Sequence, residues 1–413
     1  MHHCNVEASD HGHSAMARKF VILTARGNQM ASLQNTPRFT SFSAFGALFT
    51  CVLAASAAIA HGYRPPDQGS STLAASVLPQ VAAKYKIPGL AVAVIAHGQL
   101  QGIEVFGVRD KDSNAPVTER TVFEAGPLGE PLYAYAVLRL AAEGHFNLGA
   151  PIPALFPLPY VRDFDPTSNA VSTESLYDPQ FNQVTAIRVM NHTSGMPDWA
   201  RSQHLRLQTA PGQKWAYSNE GYLYLQHAIE HITGEPFGEF LSRSALVPAR
   251  MAQSGFIWRE EYAKSMATGY DRSGAPVEIH RYLRPAAAAT LYTTVREYAQ
   301  FITMLLASAP AQRAHESAVS LMLNPTVMVG NDSKLSWGLG FGLEKSGDDL
   351  LFFQLENGAG FQAFVIASRK SGSGVVIFTN SGNGLDAVPE IIAATIGGDH
   401  PILKSAFLHS QSF

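Results

Sequence analysis

Two textures alternate along the chain. Leu90-Ala91-Val92-Ala93-Val94-Ile95 is a short apolar run bounded by Pro88-Gly89 and His97-Gly98, and Ile103 to Val108 repeats the pattern. Apolar runs of this length between turn residues predict buried strands, here a hairpin. Near the other end, Ala363-Phe364-Val365-Ile366 and Gly374-Val375-Val376-Ile377-Phe378 flank a Ser371-Gly372 turn and predict a second strand pair. Asp386 to Ile396 then reads as a closing helix. Between these ends the pattern is helical: Leu132 to Glu143, Gly221 to Thr233, Phe237 to Leu246 and Val295 to Leu306. Strands at both ends with helices between them predict an α/β (α+β) fold, one sheet assembled from the two ends with a mainly helical part inserted. Leu132 to Glu143 is apolar nearly all round, which places it at the centre.

Composition then narrows the class. The 413 residues are 46% hydrophobic and 15% charged, with a net charge of −3, so a full core can be built and disordered, collagenous and repeat architectures are excluded. With 30 Lys+Arg against 33 Asp+Glu and no basic run, nucleic acid is not an expected partner. The two cysteines, Cys4 and Cys51, both precede residue 61, which leaves no disulfide framework, cysteine-ligated metal or catalytic thiol beyond it.

Ala44 to Ala60 is apolar except for Thr50 and Ser56, follows Arg38 and closes on Ala58-Ile59-Ala60. This is the pattern of a secretory signal over 30–60, cleaved after Ala60. Pro65-Pro66 follow without a cationic stop, so no stable membrane span is expected after cleavage, and the expected location is periplasmic or extracellular. Met30 would open an ordinary signal, so residues 1–29 are expected to precede the true start, and His2, His3, His11 and His13 are not read as a metal site. The leader is thus 1–60. The remainder, 61–413, shows no internal period or linker and reads as a single domain, with its sheet part over about 75–135 and 290–413 and its helical part over about 136–289.

Thr121-Val122-Phe123-Glu124-Ala125-Gly126, the apolar helix with Tyr135-Ala136-Val137-Leu138, and Ala150-Pro151-Ile152 resemble the nucleophile-bearing stretch of class C β-lactamases and their penicillin-binding-protein and esterase relatives. Asn191-His192-Thr193-Ser194-Gly195-Met196-Pro197 resembles a turn of that family, and Tyr217-Ser218-Asn219 resembles its Tyr-x-Asn segment. Further matches at Trp337-Gly338-Leu339-Gly340-Phe341-Gly342, Gly360-Phe361 and Phe378-Thr379-Asn380 extend the likeness over about residues 75 to 400. The resemblance implies a β-lactamase/transpeptidase-like fold whose antiparallel sheet is flanked by helices.

The family's chemistry uses three elements. A Ser-x-x-Lys opens the first long helix, so that the lysine one turn on withdraws the serine's proton; a Tyr-x-Asn relays protons; a Lys/His-x-Gly on an edge strand helps bind the oxyanion and steer a substrate carboxylate. Here Pro127 stands at the serine position and Glu130 at the lysine position. No Ser, Thr or Cys occurs between Val122 and Pro166, and no Lys between Ser113 and Gln213, so a shifted alignment restores neither. Losing such a nucleophile costs on the order of a million-fold in rate, and proline has no N–H for an oxyanion hole. In Phe353-Gln354-Leu355-Glu356-Asn357-Gly358, Gln354 replaces the cation and Glu356 the glycine. Proline at a first helical position and glutamate in the first turn nonetheless suit a helix. The fold is expected to survive while acylation does not.

Tyr217 and Asn219 are therefore the retained motif, and Pro127, Gln354, Glu356 and Gly358 are expected to border the cleft. A carboxylate at 130 raises a neighbouring phenol's pKa, which makes Tyr217 a neutral donor. The implied ligand is a peptide, a peptidoglycan fragment or a small ester or amide, with no cofactor. An alternative keeps hydrolysis, with Glu130 as general base for water and Tyr217 and Asn219 as donors to the carbonyl. His227-Ala228-Ile229-Glu230-His231 matches H-x-x-E-H, but it lies in an amphipathic helix of the family and is read as structural. His192 is read as a turn-stabilising side chain, and Ser218 is not read as a nucleophile.

Overall fold

A computed structural model describes residues 68–155, 160–165, 171–176, 178–200, 204–330 and 332–409; the leader expected over 1–60 lies outside the described residues. Nine strands form the main sheet: β1 Gly89–Ala96, β2 Gln99–Asp110, β3 Ala115–Pro116, β4 Val327–Met328, β5 Leu335–Trp337, β6 Gly342–Ser346, β7 Asp349–Asn357, β8 Gln362–Ser368 and β9 Ser373–Thr379. Their spatial order is β3-β2-β1-β9-β8-β7-β6-β5-β4, antiparallel throughout. The two chain ends meet at β1 and β9, where Leu90 pairs with Thr379 and Val94 with Val375. The turn between β1 and β2 holds His97 at φ 52° and Gly98 at φ 69°, the pair of positive values that a tight two-residue hairpin needs.

Side-chain alternation along β1 divides the core. Leu90, Val92 and Val94 face one side, where they meet α1 (Gln68–Tyr85) and α6 (Gly384–Thr395) through Leu78, Val81, Val388 and Ile391. Ala91, Ala93 and Ile95 face the other side, with α2 (Gly129–Ala142) and α4 (Val295–Leu306). Every α2 residue from Gly129 to Leu138 is buried, Glu130 included, as a helix between sheet and helical part requires. In the helical part, α3 (Asn219–Thr233) is opened by Ser218, whose hydroxyl accepts from the Gly221 amide, and Thr294 caps α4 in the same way. α5 (Arg313–Met322) packs on α2.

Several elements differ from expectation. The helix foreseen over Phe237 to Leu246 stops at Leu241 and continues as a π-turn, Ser242–Leu246. α1, α5 and β6 carry weak patterns and were not foreseen. Past α6, the buried His400 ring lies between two acceptors, Glu344 Oε1 at 2.6 Å and Gly397 O at 2.6 Å, which favour its charged form. This clamp leads the chain back to set Phe407 against Trp215 and Trp337. Among the described residues no helix is long and apolar enough to cross a membrane.

Candidate functional site

The entry to α2 is fixed by its approach. Phe123 and Glu124 pair with Thr293 and Tyr292, the Ala125 amide donates to Leu291 O at 2.8 Å, and the chain swings at Gly126, φ 29°, into a short 3-10 turn, Gly126–Leu128. Pro127 sits in the middle of that turn, half-buried, and Glu130 lies in the first turn of α2, fully buried. An anion there is favoured by the helix dipole.

Three separate elements converge on the Glu130 carboxylate. Gln354 on β7 donates from Nε2 to Oε2 at 3.1 Å, while its own Oε1 accepts from the Leu355 amide at 3.1 Å. The Tyr217 hydroxyl hydrogen-bonds the same carboxylate. His192 Nε2 lies 3.5 Å from Oε2, with both side chains fully buried. The Ser218 amide donates to His192 Nδ1 at 3.1 Å, so the ring carries its hydrogen on Nε2, the nitrogen facing Glu130. The Tyr217 ring stacks on His192 at 4.2 Å, and Trp337 meets that imidazole edge-on at 5.0 Å.

Burial pushes the Glu130 carboxyl up, against the pull of His192, Tyr217 and Gln354, which favour its charged form. Burial and then the Glu130 charge drive the Tyr217 phenol far above its ordinary range. Tyr217 is therefore a neutral donor at physiological pH.

Asn219 turns elsewhere. Its Nδ2 donates to Asp198 Oδ1 at 2.5 Å, and burial above all raises the Asp198 carboxyl to about 6. Ser218 is consumed structurally: its hydroxyl donates to Pro197 O at 2.7 Å and accepts from the Gly221 amide at 3.0 Å.

Glu356 shares a face of β7 with Gln354 and lays its carboxylate over Gly126 and Gly358, so closely that a side chain at Gly126 would collide with it. It accepts from the Gly358 amide, but burial, with Glu124 nearby, pushes it up to about 8. Glu124 in turn holds His280, Nδ1 to Oε2 at 2.9 Å. The strand bearing Gln354 and Glu356 is not an edge strand over its whole length, as the motif suggested. β6 covers its outer side as far as Phe353, and the edge begins only at Gln354, with Gln354 to Asn357 paired on the β8 side alone.

The structure thus brings Glu130, Tyr217 and Gln354 together, sets Glu356 and Gly358 before Pro127's turn, and directs Asn219 to Asp198. Sequence reading missed His192 as a partner of Glu130. Its backbone does hold the turn, at φ 56°, but its ring completes the cluster. His227 bonds the Leu223 carbonyl at 2.8 Å and packs edge-on against Tyr160. Among the described residues, no group of three or more His, Cys, Asp or Glu side chains is placed to hold a metal ion.

A sheet closed by both chain ends, a buried helix running from its face into a helical part, and a polar cluster at that helix's first turn together define a β-lactamase/transpeptidase-like protein. The Beta-lactamase family model matches residues 74–395, and the chain belongs to that family. A β-lactamase of Pseudomonas fluorescens is 24% identical over 247 residues, covering 57% of this chain and 64% of the relative. Protein flp of Staphylococcus aureus (strain MRSA252) is 21% identical over 330 residues, covering 75% of this chain and 62% of the relative. The chain therefore spans a little under two thirds of the length of these curated relatives. Among solved structures, a β-lactamase/D-alanine carboxypeptidase from Pseudomonas syringae superposes with a TM-score of 0.67 at 16% identity, over 80% of this chain and 99% of that one. D-alanine carboxypeptidase AmpC from Burkholderia cenocepacia gives 0.64 at 17% identity, over 79% and 99%.

Proposed function

We propose that this β-lactamase-family protein has lost covalent serine catalysis and keeps its cleft as a non-covalent site for a peptide, a peptidoglycan fragment or a small ester or amide. The observation that carries the reading is the state of Glu130. At the place where a lysine would activate a serine, a buried carboxylate is held by Gln354, Tyr217 and His192, and Pro127 occupies the serine's place without a hydroxyl or an N–H. Such a carboxylate faces donors rather than solvent, which favours a structural centre over a base for water. The secretory-signal pattern read over 30–60 supports export to the periplasm or medium.

The test treats purified protein with a fluorescent penicillin, a fluorophosphonate, a chromogenic β-lactam and a p-nitrophenyl ester. No covalent adduct and no turnover are expected. Labelling of any serine would overturn the proposal, and unlabelled turnover abolished by Glu130→Gln would replace it with hydrolysis by Glu130. Pro127→Ser combined with Glu130→Lys is expected to restore measurable acylation by the penicillin.

A further inference from the structure

A second concavity lies on the helical part, away from the cleft cluster. The helix Phe237–Leu241 runs into the π-turn Ser242–Leu246, and the chain then reverses at Arg250, which holds φ 59° although it is not glycine. π-turns and left-handed non-glycine residues concentrate at functional positions. Together with Phe256 and Pro285, this reversal lines a half-open chamber of about 650 Å³ whose walls include Leu241, Leu246 and Met251. It adjoins a hollow of about 800 Å³, the two sharing Gly238, Glu239, Ser242 and Val247. Small-molecule sites fall in this size range, roughly 300–1,000 Å³.

Part of the rim is apolar too. Leu283, 74% exposed, and Val247, 69% exposed, are the two most exposed large apolar side chains among the described residues, and both line it, with Ile257 beside them. Exposed apolar side chains gathered around one concavity mark a place that something covers. Two polar side chains of the lining are committed to the protein itself. Ser254 donates to Glu297 at 2.5 Å, and Arg259 pairs with Glu261 at 3.3 Å while donating to Ser254 O at 3.2 Å. Glu239 is exposed on the shared lip, and Arg250, also exposed, has no carboxylate partner among the described residues. The Arg250 guanidinium beside an apolar chamber offers a seat to an anion with a hydrocarbon body, provided that anion lies away from Glu239.

We propose that this chamber binds a long-chain aliphatic carboxylate, with the hydrocarbon among Leu246, Met251 and Phe256 and the carboxylate on Arg250. The Phe256 ring also packs on Gly129, so the chamber floor touches the first turn of α2 from behind. The site stands independently of how the cleft is read.

The full chain is titrated with 11-(dansylamino)undecanoate, below its micellar concentration, and the probe is displaced with dodecanoate or methyl dodecanoate. Saturable one-to-one binding is expected, with dodecanoate displacing the probe at least about tenfold more tightly than its methyl ester, since a hydrogen bond to a charged group is worth about that much. Arg250→Gln should weaken dodecanoate by about the same factor and leave the ester unchanged, while Leu283→Glu should weaken both. Circular dichroism and melting of each variant confirm that these surface changes leave the fold intact. Equal affinity for acid and ester, no effect of Arg250→Gln, or no saturable binding would overturn the proposal. So would a concentration-dependent dimer abolished by Leu283→Glu, which would make the patch a contact between two copies.

Discussion

Replacing Glu130 with alanine tests whether the carboxylate is the centre that holds the cleft together. In the native chain it receives hydrogen bonds from Gln354 and Tyr217 and faces the Nε2 hydrogen of His192 at 3.5 Å. Alanine would orphan two buried donors, the Gln354 amide and the Tyr217 hydroxyl, and take away the carboxylate that His192 faces. Each orphaned donor costs about 1–3 kcal/mol, less where water enters the vacated space, so the loss is about 3–5 kcal/mol. That is a large share of the roughly 5–15 kcal/mol that stabilises a typical domain. Glu130→Gln keeps the shape and one acceptor but adds an amide among donors, and should cost about 1–2 kcal/mol. The two variants also differ in pH dependence. Burial holds the folded carboxyl above its ordinary 4.5, so stability from this group is complete below that value and is lost as pH rises through the folded pKa. The deficit of the neutral mimic should therefore shrink between about pH 5 and pH 8. Urea unfolding at both values, followed by the fluorescence of the four tryptophans, Trp215 and Trp337 among them, measures the series. An alanine variant losing less than about 1 kcal/mol, or equal losses for alanine and glutamine, would show that these donors do not depend on this carboxylate.

The cleft mouth and the C-terminal clamp give further expectations. Gly126→Ala should cost about 2 kcal/mol in urea unfolding, through its positive φ and its collision with the Glu356 carboxylate. In a Glu356→Gly background the penalty should fall by about half, as a double-mutant cycle would read. Because Glu356 is pushed up to about 8, wild-type stability is lost as pH climbs from the ordinary 4.5 through that value. Glu356→Gln should thus be near neutral at pH 5 and stabilising by roughly 1–2 kcal/mol at pH 9, after allowing for partial exposure; no difference between the two pH values would refute it. Burial draws the His400 imidazole down, but the Glu344 carboxylate and Gly397 carbonyl outweigh it and hold the ring above 6.5. The stability it contributes is full below 6.5 and lost as pH rises through the folded pKa. His400→Ala should cost about 3 kcal/mol at pH 6, with the gap narrowing at pH 9.5 in thermal melts.

The fold was legible wherever apolar periodicity is strong and local. The β1–β2 hairpin, the β8–β9 pair, α2 and α3 all lie within a few residues of the runs that announced them. α1 was silent because its sequence is mostly small residues with a proline at 79, and its helicity comes from packing on α6. The cleft was legible through register alone. Counting from Gly126 placed Pro127 and Glu130, and the 3.1 Å bond from Gln354 to Glu130 joins positions that are 224 residues apart. His192 stayed hidden because a histidine in a turn has the same local signature whether its ring caps a loop or meets a carboxylate 62 positions earlier. The 2.5 Å bond from Asn219 to Asp198 was equally invisible, since Asp198 belongs to none of the matched motifs.

The pairing of β1 with β9 sets the order in which this chain can be built. Leu90 waits for Thr379, 289 positions later, so the central seam has no partner until nearly the whole polypeptide exists. Contacts this distant in sequence make for slow maturation and leave an adhesive hairpin uncovered meanwhile. A newborn chain halted anywhere before residue 373 lacks the strand that closes this seam, and truncation from the C-terminal side should yield aggregates rather than smaller working proteins.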